Sequence, residues 1–138
     1  MKDPAQKVYE AVYTLLNGNI TLPVYSVIPD SVSSGYVYLS DFEYSNDDLK
    51  DRFMHFGNLQ IQIVLPKPGP KGSKTDLNTY AGEVLNAVKP TRLSRLDLAP
   101  DFSNVYLYAQ NVREFTNIFD DDRTIRRVIQ LIIGIEEL

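Results

Sequence analysis

The middle of the chain alternates hydrophobic and polar residues with a period of two, then changes to the period of a helix. From Gly57 onward, Leu59, Ile61, Ile63 and Leu65 fall on one side, and Asn58, Gln60 and Gln62 on the other. That spacing predicts a strand with one buried face and one face in water or against a partner. The segment "PKPGPKGS" (Pro66 to Ser73) interrupts both patterns, because prolines lack backbone donors and glycines loosen the chain. Leu77, Tyr80, Ala81, Val84, Leu85 and Val88 then mark one face of a helix from Thr75 to Val88. Ser73 to Asp76 has the form of a helix start, and Lys89-Pro90 ends the helix. Arg52 to Val88 is therefore the unit on which the remaining elements pack.

The same reading, taken from the N-terminus, gives the rest. Asp3-Pro4 opens a helix whose apolar stripe is Val8, Ala11, Val12, Leu15 and Leu16, and Asn17-Gly18 ends it. A short strand spans Val24 to Ile28, closed by Pro29-Asp30. In "YVYLSDFEY", Tyr36, Tyr38, Phe42 and Tyr44 alternate with Val37, Leu39, Asp41 and Glu43. This predicts a strand with an aromatic face and a second face that turns acidic. "SNDDLKD" reads as a polar connection, and "LSRLDLAP" as a short strand or an irregular crossover.

Another strand is predicted near Asn104 to Val112, where Val105, Leu107 and Ala109 alternate with Tyr106, Tyr108 and Gln110. "NIFDDDR" reads as a turn or an inter-strand loop. In the last segment Ile125, Val128, Ile129, Ile132 and Ile133 fit a helical face, while Ile129, Leu131, Ile133 and Ile135 fit a strand. Six β-branched residues and Gly134 tip it to strand. The order α-β-β-β-α-β-β predicts an α+β fold, a mainly antiparallel sheet of about five strands with two helices on one face.

Composition narrows the function classes. At 138 residues the chain is expected to be a single domain (residues 1–138) with one core. A net charge of −4 argues against a free-standing nucleic-acid binder. With no cysteine there is no disulfide framework, thiol nucleophile or thiolate zinc site. No signal-peptide layout and no membrane-length apolar run is visible, so a soluble chain made in a cytoplasm is expected.

Candidate chemistry is sparse. "GPKGSKT" has only two residues between its glycines, and Ser73 stands before Lys74, so it lacks phosphate-loop spacing and reads as a flexible basic loop. Asp41, Glu43, Asp47, Asp48 and Asp51, and the triplet Asp120, Asp121 and Asp122, lack calcium-loop spacing and read as solvated loop ends or a docking or lumen surface. His55 is the only histidine and no G-x-S-x-G elbow accompanies it, so it reads as an ordinary strand residue. Aromatics such as Tyr36 and Tyr38, with Gln60 and Gln62, suit a surface shared between core and subunit interface. Lys67, Lys71 and Lys74 give the proline-glycine loop positive charge, so it is a candidate contact with a partner. No catalytic, cofactor or metal constellation is expected.

The pieces "VYEAVYTLL" (Val8 to Leu16), Val24 to Pro29, Tyr36 to Ser40, Leu59 to Val64 and Leu77 to Val88 follow the layout of a known family. In that layout the chain resembles the tail-terminator, or tail-completion, proteins of long-tailed bacteriophages. The resemblance implies a structural virion protein without enzymatic activity, cofactor or membrane. Its subunits would form a hexameric ring, assembled in the host cytoplasm, that caps the tail tube protein and joins the head-completion or connector protein. DNA would pass through the channel without specific binding. Asp41, Glu43, Asp47, Asp48, Asp120, Asp121 and Asp122 are the expected channel-lining acids, which keep phosphates from being gripped. Another head-to-tail neck or closure protein is the nearest alternative. A small ligand- or nucleic-acid-binding module is the alternative from a different class.

Overall fold

The computed structural model describes residues 1–29, 34–49, 51–66, 73–119 and 122–138. The elements follow the expected order: α1 (Ala5–Leu16), β1 (Val24–Tyr25), β2 (Tyr36–Leu49), β3 (Arg52–Pro66), α2 (Ser73–Val88), β4 (Phe102–Phe119) and β5 (Asp122–Glu137). The strands form one sheet in the order β1-β2-β3-β5-β4. Only the β1–β2 pair is parallel; the others are antiparallel. The fold is α+β.

The central pair β3–β5 sets the two faces. Leu59, Ile61, Ile63 and Leu65 of β3 and Ile125, Ile129, Leu131, Ile133 and Ile135 of β5 are buried in one core. Both helices cover this face, α1 through Val8, Val12 and Leu16 and α2 through Leu77, Ala81, Val84 and Val88. These positions recur at three and four residues, so each helix turns one stripe onto the sheet. Tyr80 and Leu85, expected on the buried face of α2, pack at its edge and stay half-buried. The Asp3 carboxylate accepts the Ala5 N–H at 2.9 Å, and Pro4 occupies the N-cap of α1. Gly18, at φ 80°, turns the chain out of α1 through the left-handed region.

Residues Ile125 to Ile135 form a strand, since β5 runs from Asp122 to Glu137 and is paired on both sides. Strand lengths differ from the sequence reading. "SNDDL" is the end of β2, not a connection, because Asn46, Asp47 and Asp48 pair with His55, Met54 and Phe53. Likewise Asn117, Ile118 and Phe119 extend β4 opposite Thr124, Arg123 and Asp122. β1 shrinks to Val24–Tyr25. Residues 91–101 are an irregular crossover, held to β4 by Asn104. Its carbonyl oxygen accepts the Leu96 N–H at 2.8 Å, and its amide donates to the carbonyls of Tyr106 (2.8 Å) and Gly134 (2.9 Å).

One irregularity changes which side chains face the core. Leu39 pairs with Ile61 but Phe42 pairs with Leu59, so β2 carries one extra residue there. A bulge of this kind reverses the alternation beyond it. Val37 and Leu39 face the helices before it, and Phe42 packs against the core after it. The predicted aromatic face is thus split between the two sides of the sheet. Tyr36 is buried within the subunit, its ring 6.0 Å from that of Tyr25.

Candidate assembly surface

Among the described residues, no element covers the face of the sheet away from both helices. Reading by register, it presents Tyr38 and Glu43 from β2, then Asn58, Gln60 and Gln62 from β3. Next come Arg126, Val128, Gln130 and Ile132 from β5, then Tyr106, Tyr108, Gln110 and Arg113 from β4. The central residues are half-buried by one another, whereas Glu43, Tyr108, Gln110 and Arg113 are exposed. Gln62 anchors a small polar network, receiving the Arg126 guanidinium at 3.1 Å and donating to the Ser40 hydroxyl at 3.3 Å. Two polar atoms on this face, Asn58 Oδ1 and Arg126 Nε, are sealed from water without a hydrogen-bond partner.

Glycines let aromatic rings lie flat on the sheet. A Cβ at Gly134 would come within 2.3 Å of the Tyr106 ring, and one at Gly57 within 2.6 Å of the Phe42 ring. Tyr106 therefore covers Gly134 on the helix-free face and stacks with Tyr108 at 5.9 Å. Burial pushes the Tyr106 phenol above its ordinary value, with the neighbouring Tyr108 adding to the shift. On the helix side the aromatics form a chain: Tyr9 against Phe42, Phe42 against Tyr44, Tyr44 against His55 and His55 against Phe102.

The expected site residues do not form one group. Asp41, Glu43, Asp47 and Asp48 are exposed along β2, with Asp47 and Asp48 near the tip of the β2–β3 hairpin. Glu136 lies across β3 from that tip, paired to Met54, and takes Arg52 at 3.2 Å. Asp122 begins β5 at the other end of the sheet, where Pro66 pairs with Thr124. At about 3.3 Å per residue the two acidic ends lie roughly 45 Å apart. Asp120, Asp121, Lys67 and Lys71 lie outside the described residues, and the side chain of Lys74, in the first turn of α2, is likewise not described. Gln60 and Gln62 sit at the centre of the helix-free face beside Tyr38. The residues that complete that face, Arg113, Arg126, Gln130 and Ile132, were not singled out from sequence. For the last three the signal available was their even-numbered spacing along β5, which the ambiguity between helix and strand obscured, and Arg113 lies in β4 beyond a register shift.

His55 is in β3, fully buried, with Nδ1 against the Asn46 side-chain oxygen and Nε2 3.8 Å from the Glu137 carboxylate. Among the described residues no three His, Cys, Asp or Glu side chains gather as metal ligands do. No described helix is long and apolar enough to cross a membrane. An open groove of about 420 Å³ runs between α1 and β2, lined by Tyr9, Glu10, Tyr13, Ser26, Val27 and Leu39. A second, of about 380 Å³, lies on the helix-free face at Glu43, Ser45, Phe56, Asn58 and Ile132. Both are open troughs.

No family profile and no curated protein matches the chain by sequence. By structure, the chain is similar to a component of the virion of a native gene transfer agent particle. The TM-score is 0.60 at 15% identity, over 95% of this chain and 91% of that one. The two share a fold from end to end.

Proposed function

We propose that the chain is a non-enzymatic structural protein of a phage-like virion, and that its role there is to terminate the tail. The observation that carries this reading is the end-to-end likeness to a component of a gene transfer agent virion, with little left over in either chain. The layout shared with tail-terminator proteins gives the finer role. In this reading the subunits form a hexameric ring on the last tier of the tail tube. One rim copies the tube and stops further addition, and the other docks to the head connector.

The mechanism is geometric. The sheet, held rigid by one core, is bounded by the β2–β3 hairpin at one end of its strands and by the β4–β5 hairpin at the other. Contacts made at these ends leave the core undisturbed. Exposed Asp41, Glu43, Asp47 and Asp48 on the first hairpin supply a repulsive lining for passing DNA. The basic loop with Lys67 and Lys71, next to Lys74, contacts a neighbouring subunit or the tube.

Deleting the gene from the parent particle tests this reading. The expected outcome is tails of uncontrolled length and separate filled heads, both corrected by supplying the chain. Joined particles of normal length in its absence would refute it. Replacing Pro66 to Gly72 by a glycine-serine linker tests the loop: a folded subunit with the deletion phenotype is expected, and normal particles would return the loop to plain connection.

A further inference from the structure

We infer that the helix-free face of the free subunit docks face to face on the same face of a second copy, with the strands of the two sheets crossing near a right angle. Four residues mark the corners of this face. Tyr38 and Arg113 share one row, through Gln62 and Val128, while Glu43 and Tyr108 share another, through Asn58 and Ile132. The rows are four residues of β3 apart, about 13 Å, and β2 and β4 are three strand spacings apart, about 14 Å. The patch is therefore nearly square, with the carboxylate and the guanidinium at opposite corners.

A square with this marking is self-complementary. A two-fold axis in the plane of contact, along the diagonal through Tyr38 and Tyr108, exchanges the other two corners. Glu43 of each copy then meets Arg113 of the other, twice, and each tyrosine at a corner meets its own counterpart. The same rotation turns the strand direction by about a right angle, one of the two ways in which sheets pack. Gln60, Gln62 and Gln130 meet at the centre. The contact is closed and isologous.

Two observations favour a second copy as the occupant. Glu43 and Arg113 are exposed, and no described residue pairs ionically with either. The exposed aromatics on this face are Tyr108, at 47%, and Phe56, at 39%, residue types enriched at interfaces. The pairing is a state of the free subunit and does not rest on the tail-terminator reading. Incorporation into a particle would require the pair to separate.

The absence of native cysteine makes the test direct. In an E43C/R113C variant the two positions lie about 19 Å apart within one chain by the spacings above, far beyond disulfide reach. Oxidation is expected to give a covalent dimer and no larger species, reversed by reductant. A ladder of higher forms, which marks a head-to-tail contact, would overturn the inference. Charge reversal is the independent arm, read by sedimentation velocity. E43R and R113E should each weaken the dimer at least ~10-fold, and E43R/R113E in one chain should restore it. A wild-type chain that remains monomeric at all concentrations, or a double variant as weak as the singles, would also overturn it. Neither result bears on the deletion phenotype.

Discussion

The two faces of the sheet are built from the same strands and obey different rules. On the helix side, odd-numbered residues of β3 and β5 are uniformly aliphatic over Leu59–Leu65 and Ile129–Ile135, and buried Val64 lies on the other side. On the free side the same strands carry Asn58, Gln60, Gln62 and Gln130, with Val128 and Ile132 among them. A core face is selected for apolar volume, and a face awaiting a partner for reversible contact, which polar and aromatic side chains allow. The contrast is the one that the proposed contact between copies requires of the free face.

The sharpest break of this contrast is backbone damage on the core strand. Leu131→Pro removes ladder hydrogen bonds from a strand paired on both sides, and should abolish the cooperative unfolding transition seen by circular dichroism. Truncation comes next. Ile61→Ala or Leu77→Ala should cost about 2–5 kcal/mol in urea titrations, whereas Gln62→Ala on the free face should cost about 1 kcal/mol or less. Equal costs would erase the distinction between the faces. Leu85→Ala should fall well below Leu77→Ala, because Leu85 is only half-buried.

Smaller effects sharpen the picture where β4 carries an extra residue between Asn104 and Tyr106. Asn104→Ala leaves the buried Leu96 N–H and the Tyr106 and Gly134 carbonyls without their partner, an expected loss of about 1–3 kcal/mol. Gly134→Ala drives a methyl into the Tyr106 ring and should cost about 1–3 kcal/mol, most of it recovered in Gly134→Ala/Tyr106→Ser. A non-additive pair is the expected signature, and strict additivity would mean that the ring does not lie on the glycine.

The smallest effect is with pH. Burial raises the Tyr9 phenol, which donates to the Ser40 carbonyl at 2.9 Å. The folded state thus holds this proton more tightly than the unfolded chain, so stability falls as pH rises past the ordinary tyrosine value of about 10. Tyr9→Phe should have a shallower decline over that window than wild type. An identical slope would remove Tyr9 as a contributor.

Element order and the two helical stripes were legible because each follows from strong local periodicity. The strand at Ile125 to Ile135 was legible from β-branching although its period was ambiguous. Strand length was not, because Asn46 to Asp48 carry no apolar signal and are held in β2 by pairing with β3. The facing of Phe42 and Tyr44 was hidden by the bulge between Leu39 and Phe42, which alternation alone does not reveal. The candidate acids looked alike in sequence, and only the register separates Asp47 and Asp48 from Asp122 by the length of the sheet. The free face is assembled from four strands. Its residues, from Tyr38 to Gln130, come together only through pairing far apart in sequence.

Gold labelling of a tagged chain in purified particles, read by electron microscopy, tests the central claim most directly. The account predicts label at a single position on each particle, where tail meets head, and none along the tube or on the capsid. Label distributed along the tail, or particles without any, would contradict it.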